Sequence, residues 1–141
     1  MKPLVFTLAN HPAAIEPLSR RIRNLAEDCG VPSSVIAKVE VVLDELLDNI
    51  ISYAYPDEAE HEISVGVAIG EHELTLTISD DGVPFDPSEH AAPVAMASIE
   101  DRKVGGLGIH LVRRLMNEVR YEREGGENVV TVVKQFGGGG G

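Results

Sequence analysis

The stretch SSVIAKVEVVLDELLDNIISYA, residues 33–54, decides how the rest of the chain is read. Val35, Val39, Val42, Leu43, Leu46 and Ile50 recur at helical spacing and make one apolar stripe. Ser33 or Ser34 is placed to cap the start, and Pro56 stops the helix. Within this helix, Leu43-Asp44-Glu45-Leu46-Leu47-Asp48-Asn49 puts Glu45 and Asn49 four residues apart, on the same face and one turn from each other. At roughly 100° per residue they fall at the edge of the stripe, where a helix meets the floor of a cleft. An asparagine amide oxygen is a hard ligand suited to Mg²⁺, and a glutamate there can orient or deprotonate an attacking hydroxyl or water. The same pair also reads as a solvated polar edge, so spacing alone assigns no site.

Working outward, residues 2–9 read as a first strand. Residues 13–28 read as a helix with Ile15, Leu18, Ile22, Leu25 and Ala26 facing in. Pro17 falls near its start, where proline is tolerated, and Cys29 and Gly30 end it. Beyond the long helix, Ile63, Val65, Val67 and Ile69 alternate, as do Leu74, Leu76 and Ile78 after the Gly70–Glu71 break, which predicts a hairpin. Residues 81–104 lose periodicity; so long a stretch in a small domain points to a functional lid or a misread element. Residues 107–118 resume a helical pattern, and strands around 118–124 and 128–135 flank Gly125–Gly126. The pattern predicts an α+β sandwich: an antiparallel or mixed sheet with helices on one face.

Two further segments carry chemistry. Ile78-Ser79-Asp80-Asp81-Gly82 closes an apolar strand with a carboxylate and follows it with a glycine, which permits a tight turn. Aimed into a cleft, that carboxylate accepts hydrogen bonds, as the exocyclic amine of adenine requires; it also fits an ordinary Asp–Gly turn. Gly105-Gly106-Leu107-Gly108 opens the next helix, where bare backbone N–H groups and the helix N-terminus favour a phosphate. Arg102 and Lys103 lie just upstream and add positive charge.

Composition limits the partners. Twenty-three acidic against 12 basic residues give a formal charge of −11, which repels nucleic-acid backbones and anionic lipid. A small anion must therefore find positive charge locally, from backbone N–H groups, a helix start, a few cations and a metal ion. With 43% hydrophobic residues in 141, the chain sustains a core without disulfide or structural metal. Cys29 is the lone cysteine, Met1–Asn10 has no signal-peptide pattern, and no apolar run reaches the roughly 20 residues of a membrane span. The expectation is a cytoplasmic protein with one domain over residues 1–136 and a flexible glycine tail at 137–141.

Together, Glu45-X-X-X-Asn49 on a helix, Asp80-X-Gly82 at a strand end, a variable loop and Gly106-X-Gly108 at a helix start resemble the boxes of the Bergerat-fold (GHKL) ATPases. The segments DDGVPFDP and GGLGIHLVRRLMNEV are similar to its short anti-sigma-factor serine/threonine kinases, and the likeness runs from Met1 to Phe136. The resemblance implies that Asn49 coordinates Mg²⁺, Glu45 is the catalytic base, Asp80 contacts adenine and Gly82 shapes that pocket. It implies an ATP lid at 86–104, phosphate contacts at Gly106 and Gly108, and Thr131 near the adenine–Asp pair; Thr131 reads equally well as an alternating strand residue. It further implies ATP and Mg²⁺ as cofactors, and as partners a sigma factor or similar regulator and a STAS-domain anti-anti-sigma substrate, with homodimers common. An ATP-gated binding switch without turnover is the competing expectation. Tyr53 stands where the family commonly has histidine, Pro84 replaces the third glycine-box position, and Asp44 and Asp48 add charge beside the metal position. His61 and His72, flanking the hairpin, read as surface residues.

Overall fold

A computed structural model describes residues 3–84 and 107–137, with the backbone alone at 107–109. Strand β1 (Leu4–Ala9) leads through a 3₁₀ turn at Pro12–Ala14 into α1 (Ile15–Asp28). Helix α2 (Ser33–Tyr53), the hairpin β2 (Glu62–Ile69) and β3 (Glu73–Asp80), α3 (Leu107–Leu115), and the hairpin β4 (Glu118–Glu124) and β5 (Glu127–Gln135) follow. The five strands form one sheet in the order β1-β2-β3-β5-β4. Every pairing is antiparallel, which decides between the two expected kinds of sheet.

The alternation seen in the sequence is the alternation of faces. Ile63, Val65, Val67, Leu74, Leu76 and Ile78 are buried with Val130 and Val132 against α2, whose Val42, Leu43, Leu46 and Leu47 are sealed from solvent. Burying side chains of this size stabilises the fold by about 1.5–3 kcal/mol each. Helix α2 is the hub of the helical layer, packed on α1 at one flank and on α3 at the other. A bidentate ion pair from Arg23 Nε and Nη2 to Glu40, both bonds 2.8 Å, ties α1 to α2.

Three boundaries differ from expectation. Neither Ser33 nor Ser34 caps α2; the Pro32 carbonyl accepts the amides of Val35 and Ile36 at 3.0 Å instead. Helix α1 begins two residues late, because Pro12–Ala14 winds as 3₁₀. Helix α3 stops at Leu115 rather than 118, because Asn117 is captured by β5. Its N–H donates to the Val133 carbonyl and its Oδ1 accepts from the Gln135 amide, each at 2.8 Å. Sheet pairing there replaces the next helical turn.

Candidate functional site: the seam between α2 and the β3 turn

Glu45 and Asn49 lie on α2 as its periodicity requires. Asn49 is only 6% exposed, yet no hydrogen bond holds its side-chain amide among the described residues. Its amide oxygen is therefore available to a hard cation. Glu45 is half-buried beside Asp44 and Asp48. Burial first, then the neighbouring charges of Asp48 and Asp44, raises its carboxyl above the ordinary value. Asp44 is raised as well, by burial and then by Glu40.

The chain brings Asp80 to this helix through a close approach of backbones. Gly82 lies against the C-terminal end of α2, where an added Cβ would stand 2.3 Å from the Ala54 carbonyl oxygen and 2.6 Å from the Ala54 Cβ. Only glycine fits there. The next amide, Val83 N–H, donates to that same carbonyl at 2.8 Å. The Asp80-X-Gly82 turn is therefore seated five residues beyond Asn49 on the same helix.

Asp80 is 2% exposed, and its Oδ1 accepts from the Gly82 amide and from Asn128 Nδ2, both at 2.9 Å. Burial raises its pKa, and those two hydrogen bonds pull against the shift. Its second oxygen has no hydrogen bond among the described residues and can accept one.

Asn128 is the residue that motif reading missed. It is 1% exposed, faces Asp80 across the β3–β5 ladder, and also donates to the Val83 carbonyl at 2.8 Å. Its Oδ1 accepts from Tyr121 Oη at 2.6 Å and Arg123 Nη1 at 3.2 Å, while the same Nη1 reaches the Gly82 carbonyl at 2.8 Å. The signal was present: Asn128 shares the inward parity of Val130 and Val132, so a polar residue sits where the pattern asks for an apolar one.

Thr131 does not join this group. It pairs with Thr77, and both sit on the face opposite Asp80, Ile78, Asn128 and Val130; the parity of β5 excludes it from the place the resemblance implied. Leu107 and Gly108 open α3 as expected, and α3 packs on α2. Arg102, Lys103, Gly105, Gly106 and the 86–104 lid lie outside the described residues.

Nor is His61 a plain surface residue. Its ring stacks on Tyr55 at 4.3 Å between centroids, Nε2 lies 2.9 Å from Asp57 and Nδ1 lies 3.2 Å from Asp81. The hydrogen bond that Nε2 donates to the Asp57 carboxylate is the main reason its pKa is raised above 6.5. These groups line a pocket of about 350 Å³ on the far side of the Gly82 turn. Among the described residues no three His, Cys, Asp or Glu side chains form a metal cage, and no helix is long and apolar enough to cross a membrane.

An α+β sandwich whose central helix carries Glu-X-X-X-Asn and receives an Asp-X-Gly turn defines a class. The histidine kinase-like ATPase domain matches residues 8–134, and the chain belongs to that family. Among its relatives, the serine/threonine-protein kinase BtrW of Bordetella bronchiseptica is 33% identical over 63% of this chain and 63% of its own length. The serine-protein kinase RsbW of Listeria monocytogenes is 26% identical over 77% of this chain and 72% of its own. The alignment thus spans less than two thirds of the Bordetella protein. A chain in the SiaB–SiaC complex from Pseudomonas aeruginosa shares the fold, with a TM-score of 0.58 and 21% identity over 94% of this chain and 89% of that one.

Proposed function

We propose that this protein is an Mg–ATP-dependent serine/threonine kinase of the anti-sigma, partner-switching kind, acting on a seryl or threonyl hydroxyl of a STAS-domain antagonist and binding a sigma factor or similar regulator. The observation that carries the reading is the seam itself: a buried, restrained carboxylate on a turn fitted to the helix that carries Glu45 and Asn49. The kinase names of the relatives support it.

Bound Mg–ATP supplies the transferable phosphoryl group and the positive charge that offsets its oxygens. Asn49 offers its amide oxygen to the cation, with the remaining ligands left to phosphates and water. Asp80 accepts from the adenine amine through the oxygen that Gly82 and Asn128 leave unused. Glu45 orients the acceptor hydroxyl and takes its proton. The backbone N–H groups at the start of α3 would offer hydrogen bonds to the phosphates.

The test is incubation with Mg–ATP and STAS-domain proteins of the same organism, followed by mass analysis for a phosphorylated partner. Transfer supports the kinase; saturating ATP without transfer to any of them overturns it in favour of an ATP-gated binding switch. Asn49→Ala is expected to weaken Mg–ATP binding at least tenfold by calorimetry, the effect of losing about 1.4 kcal/mol of ligand interaction. Glu45→Ala is expected to retain that affinity and slow transfer by about 10²–10⁴-fold. Equal affinity for Mg–ATP in Asn49→Ala would remove the metal role.

A further inference from the structure

A second concavity, about 460 Å³, opens between α1 and α2. Its walls carry Glu16, Glu40, Asp44, Glu45 and Asp48 against the single guanidinium of Arg23. Glu16 is paired with Arg20, and Glu40 is taken by Arg23. Asp44, Glu45 and Asp48 have no cationic partner among the described residues. Three neighbouring carboxylates on two helical turns repel one another, and the approach of a cation relieves that repulsion.

A second feature of the same cleft points to an occupant. Ser19 is 4% exposed and lines it from α1, with no hydrogen bond among the described residues. A hydroxyl so placed can accept an N–H from a group entering the cleft. Pro12 and Ile15 make one wall apolar. An apolar wall leading to carboxylates is the environment of a long basic side chain, whose methylenes lie on the wall while the head reaches the charge. A bound metal ion is the weaker fit, because no described trio of acidic or imidazole groups is spaced to cage one.

We infer that this cleft is a docking notch for an arginine or lysine side chain of the protein substrate. The inference rests on the kinase reading, because Glu45 stands on the rim of the notch: a basic side chain seated against Asp44 and Asp48 belongs to the protein whose hydroxyl is offered to Glu45. Docking there brings the acceptor to Glu45 from the α1 side of α2.

The experiment has two arms. In the first, N-acetyl-arginine amide is titrated into the whole protein and backbone amide resonances are followed. Shifts that centre on Ser19, Asp44 and Asp48, that the neutral citrulline analogue does not reproduce, and that are lost in Asp44→Asn/Asp48→Asn support the notch. Equal shifts with citrulline, shifts elsewhere only, or the same shifts produced by Mg²⁺ or Ca²⁺ alone overturn it. In the second arm, the double variant is assayed on the STAS-domain protein phosphorylated by the unaltered kinase. KM for the protein substrate is expected to rise about tenfold, the cost of losing one partly screened charge pair, with no rise in the KM for ATP. An unaltered protein KM, or a parallel rise in the KM for ATP, overturns the assignment. If no STAS-domain protein is phosphorylated by the unaltered chain, the kinase reading fails by itself, and the first arm still decides whether the cleft takes a basic side chain.

Discussion

At the scale of single residues, the site depends on two side chains that act by position. Asn128 uses both ends of its amide, giving Nδ2 to Asp80 and to the Val83 carbonyl and receiving Tyr121 and Arg123 on Oδ1. Asn128→Ala removes one of the two hydrogen bonds to the buried Asp80 Oδ1 and one to the part-buried Val83 carbonyl, so unfolding in urea should show a loss of about 1–3 kcal/mol. Nucleotide affinity should fall with it, because Asp80 is then free to turn; full stability in the variant would mean that water replaces the amide. Gly82 acts by what it lacks. Gly82→Ala sets a methyl group 2.3 Å from backbone oxygen, a contact that no rotamer relieves, so the turn must lift off α2. Overpacking of this kind costs about 1–3 kcal/mol, and here the loss should appear in nucleotide titration as well as in thermal unfolding. A variant that binds nucleotide normally would show that the seam does not position Asp80.

At the scale of elements, the end of α2 and the end of β3 are joined a second time by His61, clasped between Asp57 and Asp81 and stacked on Tyr55. Tyr55 is itself buried with its hydroxyl unpaired; burial, then the charges of Asp80 and Asp81, pushes its pKa upward, so it stays neutral throughout the physiological range. His61 is raised above 6.5, so its contribution is full below that value and is lost as pH rises through the higher folded-state value. Asp57 is lowered, chiefly by the Ala59 amide and then by His61, so its contribution is present above about pH 4 and lost as pH falls through the lower folded-state value. Both hold together between about pH 4 and 6.5. Urea midpoints should therefore drop from pH 6 to pH 8 in the unaltered protein and drop less in His61→Gln. Parallel slopes would show that the clasp adds nothing. Element by element, the sequence was legible wherever one period dominated: the α2 stripe and the alternation of the β2–β3 hairpin predicted buried faces that the structure contains. Boundaries and polar junctions were less legible, because they depend on partners distant in the chain. Asn117 leaves α3 for a strand sixteen residues on, and the Pro32 carbonyl displaces a serine cap. Thr131 was placed by analogy of motif, and parity along β5 put it on the other face.

At the scale of the whole molecule, charge governs how a nucleotide can be held. The chain carries 23 acidic and 12 basic residues, and α2 adds Asp44, Glu45 and Asp48 beside Asn49. A triphosphate brought to such a surface without a cation meets net repulsion that extends over about 10 Å at 0.1 M salt. The first turn of α3 offers fixed partial charges only, worth roughly 0.3–1 kcal/mol per interaction. On the proposed reading, a divalent ion shared between Asn49 and the phosphates adds the full positive charge that the described part of the site does not, so affinity for ATP should depend far more on Mg²⁺ than on bulk salt. Titration calorimetry with ATP should show binding in millimolar Mg²⁺ and a loss of at least tenfold when the metal is chelated. Raising monovalent salt in the chelated sample should recover only part of that loss, since screening weakens repulsion without providing a ligand for the Asn49 amide. Asn49→Ala should lose less on chelation than the unaltered protein, because only the charge repulsion, and not the amide contact, is then left to lose. ATP binding that is equally tight with and without metal would contradict both the charge argument and the role given to Asn49.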